Sequence, residues 1–354
     1  KKVLNKSLEK IDLEILDLSQ MIYGYADREF NIDSPKQLSD VLFSQDGLAL
    51  DTFGLKKNSN GFSTAAKELV KLNHQHPIIA LITKYRELSK SKSTYLNSLP
   101  DHVTSDGKIH SNFKLTIAQT GRLSSNDPNL QNIPIKTPAG REVRKAFFAS
   151  KGKTFLSLDY SQFELRLAAF LANDQDLIEE FNRGADIHTV VASTIFDIPP
   201  DQVSKEQRRN AKVINFGILY GMSPHGLSQA TGMTIVDATT FVNKYKQTRA
   251  KIFKYMDGVL EESRKEGFVS TYYGRRRPTP DLNSSNFQVR SAAERATIKF
   301  PIQGTESDIM KMAMIKIDQI ISRDEKVVLQ IHDSVILEVP QAKAESLALK
   351  FQKI

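Results

Sequence analysis

The sequence predicts an α+β protein in which long helical stretches accompany a small sheet, and three observations carry that expectation. Apolar residues recur at helical spacing along much of the chain, as at Leu8, Ile11, Ile15 and Leu18. The runs Val327-Val328-Leu329-Gln330-Ile331 and Val335-Ile336-Leu337-Glu338-Val339 are apolar and β-branched, with only His332-Asp333-Ser334 between them, which reads as a tight hairpin. Thr154 to Leu158 alternates as a further strand, reads as largely buried, and ends on Asp159.

At 354 residues the chain is too long for one compact core and should divide into two or three lobes. Its 40% hydrophobic and 25% charged residues are ordinary for a soluble globular protein. The net charge of +8 suits a polyanionic partner. With no cysteine, disulfides and thiolate metal sites are excluded, so any metal must take oxygen ligands or the 7 histidines. No apolar run approaches membrane-spanning length, and the lysine-rich start resembles neither a signal peptide nor a transit sequence. The chain starts inside a helical pattern and stops at Phe351-Gln352-Lys353-Ile354 without a terminator, which reads as a fragment.

Residues 1–100 read as mostly helical and basic. Ser34-Pro35 opens a helix through Leu38, Val41 and Leu42, Ser63-Thr64 opens Ala65 to Leu72, and Pro77-Ile78-Ile79 opens the next. Lys84, Arg86, Lys90 and Lys92, interleaved with serines and Thr94, form a basic, hydroxyl-rich helix end that suits either phosphate contacts or a solvated face. Asp12 and Glu14 are expected on a helix surface. From Gly107 to Phe148 the pattern changes to short strands and turns, dense in turn formers over Thr120 to Pro134. After Asp159, Ser161 is expected to cap a helix with Glu164 at its third position, a capping box. Asp186-Ile187-His188 opens another helix, and helices continue to about Gly267. Thr271 to Pro278 is a turn bearing three consecutive arginines. Helices are expected from about Asn286 to Ile298 and from Asp308 to Ile321, separated near Pro301.

One helix has an unusual face. Arg208, Lys212, Phe216 and Tyr220 stand four residues apart and share a slowly drifting stripe. Ser204 with Gln207 forms a capping box at its start, and Gly221 suits the position just past its end. Two readings are open from these residues: a solvated basic turn running into a core helix, or cations followed by a flat apolar surface that receives a nucleoside triphosphate. Asp159 and Asp333 each lie at a strand end. A sheet joining them would offer two hard oxygen ligands of the kind Mg²⁺ prefers.

The order of carboxylate strand, Arg/Lys helix and carboxylate hairpin, with these local sequences, resembles the A-family DNA polymerases, the DNA polymerase I type, over essentially the whole chain. Asp159-Tyr160-Ser161-Gln162-Phe163-Glu164-Leu165-Arg166 looks like motif A, Arg208 to Gly221 like motif B, and Gln330-Ile331-His332-Asp333 like motif C. Thr120 to Pro134, Ala293-Glu294-Arg295 with Pro301-Ile302-Gln303-Gly304-Thr305, and Phe30 to Leu38 are also similar to family segments.

The resemblance implies a right-hand polymerase fold with an antiparallel-sheet palm, helical fingers and helical thumb. The thumb would be 1–100, the palm 101–187 and 281–354, and the fingers 188–280, with the first thumb segment and the last piece of the palm missing. It implies template-directed addition of deoxynucleoside triphosphates to a primer 3′-OH, in DNA replication and repair, by a monomer in the cytoplasm acting on primer-template DNA. Asp159 and Asp333, with the Tyr160 carbonyl, would hold two Mg²⁺ ions, for which Mn²⁺ could substitute. His188, Arg208 and Lys212 would grip the triphosphate, with Lys212 the proton donor to pyrophosphate. Gln162 would join this nucleotide site. Phe216 would stack on the nucleotide, where Phe rather than Tyr matches members that discriminate against dideoxynucleotides. Tyr220 would stand near the templating base, and Glu164 would exclude a ribose 2′-OH. Arg122, Gln131, Arg295, Gln303 and His332 would touch the primer end and nascent pairs in the minor groove, where every base pair shows similar acceptors.

Three positions depart from the family pattern. Ser334 replaces the acid that usually follows the motif C Asp, Lys299 stands where Asn is usual, and Ser285 where Arg is common. Two rivals are a non-catalytic DNA-binding scaffold of the same fold and a single-subunit RNA polymerase; the retained carboxylates argue against the first and Glu164 against the second.

Overall fold

The computed structural model describes residues 2–59, 61–135 and 137–354, with the side chains of Lys2 and Phe216 outside the described set. The chain divides into two units: Lys1–Phe113 with Ser125–Ala149, and Lys114–Ser124 with Ser150–Ile354.

In the first unit the helical spacing near the start becomes the Lys2–Ala26 helix, which buries Leu4, Ile11, Leu18 and Ile22. Ser34 caps the Pro35–Phe43 helix, its hydroxyl accepting from the Gln37 N–H. Leu38 and Leu42 of that helix join Ile22, Ile32, Ile78, Ile79 and Ile82 in one core. Asp12 and Glu14 pair with Lys92 at 2.6 Å and Lys84 at 2.7 Å, so part of the basic helix end is neutralised within this unit. Lys90, Ser91, Thr94 and Tyr95 instead line a cleft of about 720 Å³, faced by Asn129 and Asn132. The sequence reading missed one helix here, Pro138–Arg144. Its signal was present: Thr137 accepts from the Gly140 N–H at 3.0 Å and Pro138 fills the first turn, where a missing N–H costs nothing.

The second unit is built on a three-stranded antiparallel sheet. Ser334–Pro340 lies centrally between Lys153–Asp159 and Lys326–Ile331. Val335, Leu337 and Val339 of the central strand are buried and anchor the sheet to the helices. Two expectations change. Ser334 belongs to the strand, opposite Ile331, so the loop is His332-Asp333 alone. The Lys153–Asp159 strand is at an edge and alternates between half-buried and exposed residues, and Asp159 is itself exposed. Burial therefore does not set Asp159 apart; its register does.

The Ser161 capping box does not form. The helix runs Phe163–Leu171, and its cap position is Gln162, in a left-handed conformation at φ 53° with no side-chain cap bond. This tight turn takes Ser161 out of capping range and leaves Glu164 free for the long-range bonds described below. Nor does Pro301 divide two helices. A single helix runs Phe287–Ile320 through it. Pro301 is buried, as are Phe300, Ile302 and the residues from Gly304 to Asp308, so packing holds a segment that proline alone would break. The three arginines are also separated by structure: Arg275 pairs with Asp308 at 2.6 Å, Arg276 lies over the Phe268 ring, and Arg277 pairs with Val269 across a short hairpin.

Gly304 lies where that hairpin packs tightly on the long helix. A Cβ there would lie 2.4 Å from Thr271 Cγ2, and Thr271 is buried and bonded to Asp308 at 2.9 Å. Gly304→Ala is expected to destabilise the fold by about 1–3 kcal/mol through overpacking. Calorimetry reads this as a lowered melting temperature; an unchanged one would mean the hairpin can shift freely.

Candidate active site

The register of the sheet decides which carboxylates meet. Asp159 stands opposite Ser334, the residue after Asp333, and the Tyr160 N–H donates to the Asp333 carbonyl at 3.2 Å. The ends of two strands far apart in sequence thus become neighbours. His332 makes this possible by occupying positive φ, 53°, at the first turn position, a conformation uncommon outside glycine. Gln330 Nε2 donates to the His332 carbonyl at 2.6 Å and steadies the turn. The Asp159 carboxyl holds its proton more tightly than usual, through partial desolvation and then repulsion from Asp333, with the Lys212 charge opposing. Two adjacent carboxylates with a lysine in their field form a site that favours positive charge. Among the described residues, no group of three or more His, Asp or Glu side chains is placed to hold a metal.

The cationic helix spans Lys205–Leu219. Its capping box forms in both directions: Ser204 N–H to Gln207 at 2.9 Å and Gln207 N–H to Ser204 at 3.1 Å. At its far end Gly221 has φ 81°, and the bonds Gly221 N–H to Ile218 and Met222 N–H to Gly217 close a Schellman motif. Tyr220 therefore sits on the cap rather than within the helix. Ala211, Ile214, Ile218 and Leu219 are buried, while Arg208 and Lys212 are exposed on another face.

Arg208 is not simply solvated, since its Nε pairs with Asp186 at 2.5 Å. Asp186 also caps the Ile187–Phe196 helix, accepting from the His188 N–H, so one carboxylate ties two helix starts together. His188 is buried, with its Nδ1 2.9 Å from Asn215 Nδ2. Burial pushes its pKa down to about 4; Asp186 opposes this, and Lys212 and Arg208 add to it. At neutral pH His188 is an uncharged imidazole beneath the cations. The Phe216 side chain lies outside the described residues.

Glu164 is the hub of a second cluster. One carboxylate oxygen accepts from Arg122 at 2.8 Å and from Gln303 at 3.1 Å, and the other accepts from the Tyr220 hydroxyl. Burial and the Glu164 charge raise the Tyr220 pKa, so the phenol stays a donor. Arg122 also reaches Glu306 at 2.7 Å. Arg122 and His332 line one small depression with Gln330 and Lys311. Arg295 bonds Ser291 at 2.6 Å and lies against Gly221. Gln162 lies beside this cluster in sequence, and its Oε1 is buried without a hydrogen-bond partner among the described residues. Gln131 belongs to the first unit, where it accepts from the Ser125 N–H at 3.1 Å.

A family model described as DNA polymerase family A matches residues 1–354. The chain belongs to that family. Its relatives include the thermostable DNA polymerase I of Thermus thermophilus, 45% identical over 95% of this chain and 40% of the relative. The DNA polymerase I of Lactococcus lactis is 44% identical over 98% of this chain and 40% of its own length. The chain thus spans about 40% of the length of these curated relatives. Among solved structures, the POL domain of Pol1 from M. smegmatis, in complex with DNA primer-template and dNTP, superposes with a TM-score of 0.93 at 39% identity. The match covers 99% of this chain and 62% of that one. The α+β polymerase fold expected from the motifs is the fold of this family A chain.

Sequence reading missed Asp186, Asn215 and Glu306 as partners in this family A site. Asp186 had a readable helix-cap signal. Glu306 had none, being a single acid in an otherwise ordinary helical stretch.

Glu306 gives a pH prediction. It is buried, and burial pushes its pKa up to about 7 from 4.5; Arg122 lowers it, and Glu164 and Asp333 add to the rise. A raised carboxyl pKa means the folded state binds the proton more tightly than the unfolded one. Its contribution to stability is therefore present near pH 4.5 and is lost as pH rises through about 7. Wild type is expected to lose more melting temperature than Glu306→Gln between pH 6 and pH 8. Parallel curves would refute the assignment.

Proposed function

We propose that this chain performs template-directed DNA synthesis, adding deoxynucleotides to a primer 3′-OH with release of pyrophosphate. The observation that carries the reading is the Asp159–Asp333 pair beside Lys212, on a chain that matches family A throughout.

The donor chemistry fits divalent cations: two adjacent carboxylates, a backbone carbonyl at Tyr160 next to Asp159 in the chain, and a site whose own repulsion a cation would relieve. Asp159, Asp333 and the Tyr160 carbonyl would hold two Mg²⁺ ions, which when bound lower the pKa of the attacking hydroxyl and stabilise the leaving oxygen. The remaining work belongs to side chains. Arg208 holds the triphosphate through its Nη nitrogens while Asp186 fixes Nε, and neutral His188 supports the same surface. Lys212 gives its proton to the departing pyrophosphate as the 3′ oxygen, its own proton passing to solvent water, bonds to the α-phosphorus and the α–β bridge breaks. Gln162 and Phe216 complete the nucleotide site. Glu164 excludes a 2′-OH, and Tyr220 stands by the template base.

Arg122, Gln303, His332, Arg295 and Gln131 would approach the nascent duplex from its minor groove. The cleft bearing Lys90, Ser91 and Thr94 would hold backbone phosphates. In this reading the thumb is 1–100, the palm 101–187 and 281–354, and the fingers 188–280. The protein works as a monomer in replication and repair of DNA.

Primer extension in Mg²⁺, with deoxynucleotides and ribonucleotides offered in separate reactions, tests the proposal. Extension with deoxynucleotides is expected. Preference for ribonucleotides would make the chain an RNA polymerase, and tight duplex binding without extension would make it a scaffold.

A further inference from the structure

Lys299, another of the three family departures, meets the Tyr220–Glu164 cluster. It lies half-buried on the Phe287–Ile320 helix with Nζ 5.0 Å from the centroid of the Tyr220 ring. That distance is within cation–π range, where the ammonium is drawn to the ring face. Tyr220 also donates its hydroxyl to Glu164, and Gln303 donates to the other Glu164 oxygen. Lys299 and Gln303 are four residues apart on one helix and so share a face. That face holds the Tyr220–Glu164 pair at both ends, by the ring and by the carboxylate. Tyr220 sits on a helix cap, past the last helical residue, where the backbone alone constrains its side chain less than a helix interior would.

We propose that Lys299 is a positioning residue for nucleotide selection: it pins the Tyr220 ring and, through the Tyr220 hydroxyl, keeps Glu164 oriented against the nucleotide sugar. This deepens the reading of Glu164 as the group that excludes a 2′-OH, and rests on it. The bland alternative for an amine in a DNA polymerase is a phosphate contact. The 5.0 Å approach to a ring, rather than display to solvent, favours the positioning role.

The test compares Lys299→Ala, Lys299→Arg and Glu164→Ala with wild type, reading kcat/KM for one deoxynucleotide and the matching ribonucleotide. Duplex affinity is measured across salt in parallel. Lys299→Ala is expected to lower sugar selectivity roughly three- to tenfold, as loss of one cation–π contact implies. Lys299→Arg, which keeps a cation on the ring, should restore selectivity to near wild type. In a Tyr220→Leu background, Lys299→Ala should have no further effect. Duplex affinity and its salt slope should not change. Unchanged selectivity in Lys299→Ala, with selectivity lost in Glu164→Ala, would overturn the inference while sparing the gate. Weaker duplex binding with a salt slope reduced by about one, at constant selectivity, would replace it with a phosphate contact. Unchanged selectivity in Glu164→Ala would remove the gate itself, and the inference with it.

Discussion

Asp333→Ala and Asp159→Ala are each expected to cut primer extension by about three orders of magnitude or more while leaving duplex affinity within a few-fold of wild type. A bound cation supplies several kcal/mol of charge stabilisation at the reacting oxygens, and each 1.36 kcal/mol lost is about tenfold in rate. Ser334 follows Asp333 with its hydroxyl donating to the Ile331 carbonyl at 3.0 Å, so the next residue in the chain offers no second carboxylate. The effect should fall on kcat. In the proposed function duplex binding would draw on other residues, among them Arg122 and Lys90. Rapid-quench extension and equilibrium duplex titration on the same preparations separate the two. A variant that extends normally would sink the metal assignment.

Lys212→Ala and Arg208→Ala should be distinguishable from each other. If Lys212 acts on the leaving group as proposed, its loss is expected to lower kcat by roughly two to four orders of magnitude with little change in nucleotide KM. The deficit should shrink for a substrate whose leaving group needs no proton. Lys212 also opposes the proton affinity of Asp159, so its removal should move the acidic limb of the pH–rate profile upward. Arg208 is different. Asp186 already orients it, and a planar fork on phosphate contributes mainly to binding. Its loss should raise nucleotide KM, and Asp186→Asn should reproduce part of that rise. Equal effects on kcat in both variants would show that the two cations act as one unit.

Local signals were legible in the sequence where the physics is local. The Ser204–Gln207 box, Gly221 past the helix end and the two β-branched runs each depend on residues a few positions apart, and each appears in the fold. The Ser161 box failed because it competed with a turn. Gln162 adopts a left-handed conformation, and Glu164 gains three long-range donors instead of one local one. Pro301 was misread for a related reason: helix propensity is a weak prior where a whole segment is buried. Asp159 and Asp333 were singled out as strand-end acids, but only the register between the Lys153–Asp159 and Ser334–Pro340 strands makes them neighbours. The pairs Arg208–Asp186, Arg122–Glu306 and Lys299–Tyr220 had no sequence signature at all. Each joins residues from separate elements, and no spacing rule reaches across such a gap.

The most direct test is single-turnover addition of one complementary deoxynucleotide by a preformed complex of this chain with primer-template DNA, titrated with Mg²⁺. The expected result is a primer longer by one nucleotide, formed at a rate that saturates with Mg²⁺ and is abolished in Asp333→Ala. A complex that forms but never extends its primer, or that extends it equally well without Asp333, would contradict the assignment of Asp159 and Asp333 as the centre of a polymerase site.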